Sequence, residues 1–202
     1  MALKFWKRRS YFEKLQSQAF RAGVTPRTKE SINWFRKSLK KVKNINNKKL
    51  LKDSALTKVA KPKPGSMYMY FYDPKHKDTL PYYDRFPLII MVGKAKNGFI
   101  GLNLHYLPPI LRAKFFDRLT EFTSNNKYDE TTKIRLTYDF LKNSAKLKEF
   151  QPCYKHYLTK HVISRIVEVQ APEWEVALFM PTEKFEKSSK SKVWNKSRKL
   201  IS

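Results

Sequence analysis

Met67-Tyr-Met-Tyr-Phe-Tyr72, followed by a polar turn at residues 73–78 and then by Phe86-Pro-Leu-Ile-Ile-Met-Val92, is the stretch that decides the fold. Short aromatic and β-branched runs bounded by turn formers read as strands. Gly93-Lys-Ala-Lys-Asn-Gly98 then reads as a turn, and residues 99–106 as a further strand. Such strands predict a small curved antiparallel sheet or open barrel. Downstream, Pro108-Pro109 opens a helix with the face Leu111, Phe115, Leu119 and Phe122. A second helix is expected over 129–147, with Ile134, Tyr138, Leu141 and Ala145 at helical spacing. Residues 164–170 and 173–180, joined at Ala171-Pro172, read as a closing hairpin. The fold class is α+β, a small sheet with packed helices.

Upstream of this body the pattern is helical and basic. Phe5, Phe12, Leu15 and Ala19 recur at helical spacing, and Gly23 ends that segment. A second helix is expected from Thr25 with Pro26 in its first turn, burying Ile32, Phe35, Leu39 and Val42. Residues 44–63 turn Asn/Lys-rich and then Lys-Pro-Lys-Pro, which reads as an extended linker or an arm lying on a partner. Three segments follow: a basic helical arm and linker (1–64), an α+β body (65–181) and a basic tail (182–202).

The net charge of +26 is distributed along the same lines. Residues 1–65 hold 19 of the 43 Lys and Arg against 3 acids, and residues 181–202 hold 7 against 2. The 115 residues between carry 17 against 12, an ordinary balance for a folded domain. Basic ends on a balanced body point to a polyphosphate partner. The cations expected to touch it are Lys7, Arg8, Arg9, Arg21, Arg27, Arg36, Lys37, Lys40, Lys41, Lys43, Lys48, Lys49 and Lys52, interleaved with Trp6, Phe12, Phe20 and Trp34. Cations supply phosphate contacts and counterion release, and aromatics can stack on exposed bases. The plain alternative makes the aromatics core and the lysines a solvated face; Trp34 reads as a packing residue.

Other constellations read as structural. Cys153, His156 and His161 match no paired zinc spacing, and the single cysteine permits no intrachain disulfide. Asp73, Asp78, Asp84, Glu168, Glu173 and Glu175 are the carboxylates a metal nuclease would need, but Asp73 and Asp84 fall in expected turns, where such residues serve the backbone. The five glycines match no nucleotide fingerprint. No catalytic group, cofactor or metal is expected. No apolar run is long enough to span a membrane, and the basic N-terminus lacks the apolar core of a signal peptide, so synthesis in a cytoplasm is expected.

Two blocks carry a resemblance. Residues 72–75 with Leu80-Pro-Tyr-Tyr-Asp-Arg-Phe-Pro-Leu88, and Gly98-Phe-Ile-Gly-Leu-Asn-Leu-His-Tyr-Leu-Pro-Pro109, resemble the DNA end protector family of contractile-tailed, T-even-like bacteriophages. Glu173-Trp-Glu-Val-Ala-Leu-Phe-Met-Pro181 and Ser191-Lys-Val-Trp194 are similar to it as well. The likeness spans residues 60–200, and the N-terminal arm matches mainly in being basic. It implies a minor, non-enzymatic virion protein near the portal or neck that binds the end of packaged double-stranded DNA and shields it from host exonuclease. Other portal, neck or tail proteins would be its neighbours. The signature loops hold few cations and are expected to maintain the fold or a protein contact. The alternative is a structural neck, tail or baseplate component whose basic arms bind acidic subunits.

Overall fold

The computed structural model describes residues 9–201 except 27, 43–44 and 124–126. Strands β1 (Thr57–Val59), β2 (Met67–Met69), β3 (Tyr83–Asp84), β4 (Leu88–Ala95), β5 (Gly98–Asn103), β6 (Tyr154–Leu158), β7 (Ile166–Val169) and β8 (Phe185–Glu186) form two sheets. The larger has the order β1-β7-β2-β4-β5-β6, antiparallel throughout, with β1 and β6 as its edges; the sheet is open. The smaller pairs β3 with β8. The α+β class and antiparallel sheet read from residues 67–106 are therefore those observed.

Alternation along the strands divides the interior. Met67, Met69, Leu88, Ile90, Val92, Val167 and Val169 face the main core, while Tyr68, Tyr70, Ile89, Met91, Phe99 and Tyr157 form a second cluster on the other face. There the Tyr70 ring meets Tyr72, Phe99 and Tyr157 edge-on at 5.7–6.3 Å, the arrangement aromatic quadrupoles favour. The register slips at Val92, a bulge between Met91 and Gly93. Strand β4 then continues to Ala95, so the turn expected over 93–98 contracts to Lys96-Asn97, with Asn97 in the left-handed region at φ 60°. Gly98 follows because no side chain fits: a Cβ there would lie 1.9 Å from the Tyr157 carbonyl oxygen.

Helices cover the main face. Helix α1 (Tyr11–Arg21) begins at a Ser10–Glu13 capping box. Helix α2 (Lys29–Ser38) begins at a second capping box, Thr28–Ser31, rather than at Thr25, so Pro26 lies ahead of the helix. Helix α3 is Asn47–Leu51, α4 Pro109–Thr123 and α5 Glu130–Asn143, the last capped by Asp129. Phe115, Leu119 and Leu141 are buried as their spacing requires. Phe5 and the side chains of Phe122, Ile134 and Ala145 lie outside the described residues.

Three expectations are corrected. The closing hairpin is half strand: after β7, a 3-10 turn (Ala171–Glu173) leads into helix α6 (Trp174–Phe179). Pro172 fits a helix's first turn, and an apolar run as short as Val176-Ala-Leu-Phe179 does not distinguish strand from buried helix by period. The basic tail ends in helix α7 (Lys190–Ile201), with Val193 and Ser197 buried and the Trp194 indole donating to the His105 carbonyl at 2.8 Å.

The N-terminal segment is also no free arm. Phe12, Ile32, Phe35, Leu39, Leu50 and Leu51 belong to the same buried cluster as the sheet, and β1 extends that sheet within the expected linker. Ser10 and Ser31 donate to Glu173 and Glu175 at 2.6 Å each, fastening α1 and α2 to the segment around α6.

Candidate nucleic-acid interface

Among the cations expected at the interface, Lys7, Arg8, Arg27 and Lys43 lie outside the described residues. Arg9, Arg21, Lys37, Lys40, Lys41, Lys48, Lys49 and Lys52 are exposed, and Arg36 is half-buried. Because α2 buries Ile32 and Phe35, and the 3-10 turn that continues it (Leu39–Lys41) buries Leu39, the spacing turns Arg36, Lys37, Lys40 and Lys41 away from the core. Phe20 is 76 % exposed, whereas Phe12 and Phe35 are core and Trp34 packs edge-on against Phe35 at 5.1 Å.

The fold distributes these charges over several surfaces. Arg9 and Arg21 border a groove that also contains Glu13 and Glu175. Lys49 and Lys52 line another with Lys14 and Asp53. Lys48, one helical step away, borders a cleft of about 800 Å³ with Lys184 and Lys190. A smaller hollow of about 390 Å³ shares Lys48, Lys184 and Phe71 with that cleft and adds Arg85 and Ile163.

Arg85, Lys184 and Lys190 were missed in the sequence because the pairing of β3 with β8, in register Tyr83↔Glu186 and Asp84↔Phe185, is what joins them. The opposite wall is fixed by Asn47, whose amide donates to the Thr182 carbonyl at 2.9 Å. Acidic groups temper the cleft: Lys190 lies 3.5 Å from Glu183, and Arg85 3.7 Å from Glu186.

Beneath the cleft lies a buried polar array. Asp84 accepts from the Phe86 and Lys184 backbone amides, from the Asn103 amide at 3.0 Å and from His105 Nδ1 at 2.7 Å. His105 Nε2 in turn hydrogen-bonds with the Thr182 hydroxyl at 3.0 Å. Burial alone would raise the Asp84 pKa; the His105, Asn103 and Phe86 partners outweigh it and hold the carboxyl below its ordinary value. The order Asp–His–Thr has the connectivity of an acid–base relay, but the three residues are 3 %, 0 % and 3 % exposed. Their bonds tie β3, the 103–105 turn and the 182–184 segment together, which makes the array a strut under the cleft.

Arg112 forms a second strut. Its guanidinium donates to the carbonyls of Leu107, Leu178 and His105 at 2.8, 3.0 and 3.3 Å, and it stacks 5.5 Å from the Trp194 ring. Cys153 is buried, with its thiol pKa pushed up by burial; His156 and His161 each donate to a backbone carbonyl, of Lys96 and Asp73.

A family model described as Phage T4 terminal DNA protecting protein matches residues 8–200. The chain belongs to that family. No curated protein and no solved structure matches it. As a member of the terminal DNA protecting family it is a phage protein, and the match runs from ahead of α1 to the last turn of α7. The family resemblance therefore begins well before residue 60 and takes in the N-terminal helices. Among the described residues no helix is long and apolar enough to cross a membrane.

Proposed function

We propose that the protein is a non-enzymatic virion component that binds the end of packaged double-stranded DNA near the portal or neck and shields it from host exonuclease. The observation that carries this reading is the family match over residues 8–200. The charge supports it physically: at +26 the chain favours a polyanionic partner, and contacts made by exposed Lys and Arg to phosphates give affinity without base readout. Arg9, Arg21, Arg36, Lys37, Lys40, Lys41, Lys48, Lys49 and Lys52 are the described cations assigned to that contact, with Lys7, Arg8, Arg27 and Lys43 beside them in sequence. A structural role among acidic neck, tail or baseplate subunits draws on the same charge and is separated by the same assay.

That assay is competition for labelled linear duplex by unlabelled linear duplex, closed circular duplex and heparin of equal mass, at low and near-physiological salt. End binding predicts that the linear competitor outperforms the circle at both salt concentrations, while overall affinity falls steeply with salt. Equal competition by all three polymers would contradict it.

A further inference from the structure

The DNA-end reading leaves open which surface meets the end, and the charges singled out in the sequence do not converge on one place. One concave site does gather cations from distant parts of the chain. Lys48 comes from α3, Arg85 from the residue after β3, Lys184 from the residue before β8, and Lys190 from the first position of α7. All four are exposed, and Phe71 and Ile163, the latter 54 % exposed, form an apolar floor beside Lys48, Arg85 and Lys184.

We propose that this cleft seats the terminal nucleotide of a DNA strand, its phosphates held by Lys48, Lys184 and Lys190 and its base laid against Phe71 and Ile163. The inference rests on the DNA-end reading and gives it a site. Size supports it: a cleft of about 800 Å³ with an adjoining hollow of about 390 Å³ suits a nucleotide-sized ligand. Chemistry supports it too. Cations against an aromatic ring are the pairing that holds single nucleotides without sequence preference, phosphate by charge and base by stacking. Only a strand end presents a phosphate and an unstacked base face together, so such a cleft discriminates an end from continuous duplex.

Glu183 and Glu186 refine the arrangement. Glu183 is held below its ordinary carboxyl pKa, against the upward push of burial, by Arg112 and His105, so it remains ionised beside Lys190. Lys48 and Lys184 have no carboxylate against them in the described residues, so their charge is fully available to phosphate, while Lys190 shares its charge between phosphate and Glu183. The buried Asp84–His105–Thr182 array below, together with the Asn47–Thr182 bond, fixes the spacing of the two walls. A binding site built on such struts is preorganised.

The test uses full-length protein and a fluorescent duplex with one open end, the other closed by a hairpin, competed by closed circular duplex. Three variants are compared with wild type: K48Q/K184Q/K190Q in the cleft, F71L in its floor, and R36Q/K37Q/K40Q on the outward side of α2 and the turn that follows it. The two triple variants lose equal charge. All are checked for an unchanged thermal melt, and Phe71→Leu keeps the packing against Phe86 largely filled.

The cleft triple is expected to lose about tenfold or more of the preference for the open end over the circle, and F71L about fivefold. The α2 triple is expected to weaken both substrates alike and keep the preference. Retention of the wild-type preference by the cleft triple, or its equal loss in the α2 triple, would overturn the assignment of this cleft. Absence of any end preference in wild type would instead overturn the DNA-end reading, and the cleft with it.

Discussion

Tyr70 lies wholly inside the second aromatic cluster, and its hydroxyl has no hydrogen-bond partner among the described residues. A buried hydroxyl without a partner costs about 1–3 kcal/mol in desolvation, so Tyr70→Phe is expected to leave the protein as stable or raise its stability by about 1 kcal/mol. A denaturant midpoint that falls would show that the hydroxyl is satisfied. Asp84 behaves oppositely, because removing it leaves four donors without their acceptor. Asp84→Ala should lower stability by about 3–5 kcal/mol in the same titration, the cost of breaking a buried charged pair. Its pKa carries a pH signature. A carboxyl depressed by folding contributes stability that is fully present above its unfolded value of about 4 and lost as pH falls through the lower folded value. Glu183 adds to the same limb. The melting temperature should therefore drop on acidification below about pH 4, and Asp84→Asn should make that drop shallower; an identical acid profile in the variant would show that Asp84 does not titrate with folding.

At the scale of elements, the N-terminal helices are integral to the core. Phe12, Ile32, Phe35, Leu39 and Leu50 are each at most 5 % exposed, and burying five such side chains amounts to roughly 7–15 kcal/mol, an upper estimate similar in size to the net stability of a whole domain. Deleting residues 1–60 is thus expected to abolish the cooperative melt of what remains. A sharp transition in the truncated chain would show that the sheet and helices after β1 stand alone. The sequence made the sheet legible because residues 67–106 combine strand-forming side chains with short turns. It also made α1 and α2 legible as helices through their period. What it concealed was where they dock: the Ser10–Glu173 and Ser31–Glu175 bonds join residues 163 and 144 positions apart, and an apolar stripe does not name the surface it packs against. The misread hairpin has a similar cause, since α6 is buried along nearly its whole length and offers no amphipathic period.

At the scale of the whole molecule, a charge of +26 is weighted toward residues 1–65 and 181–202, on a fold whose core is held without a disulfide. The sequence exposed that charge as a total and as a bias toward the ends. It did not expose the cleft, because Arg85, Lys184 and Lys190 reach Lys48 only through the pairing of β3 with β8. Cations outside the cleft should contribute generic affinity: the combined variant R36Q/K37Q/K40Q/K41Q is expected to bind any duplex more weakly and to show a salt slope shallower by up to about 0.9 for each phosphate no longer neutralised, with an unchanged melt. An unaltered slope would remove α2 from the interface. End protection is measured most directly by the rate at which an added exonuclease digests end-labelled linear duplex with and without saturating protein, at near-physiological salt. Digestion is expected to slow markedly when the protein is present, and excess closed circular DNA is expected to restore little of the rate. Digestion at the same rate with and without protein, under conditions where binding to the duplex is confirmed, would contradict it.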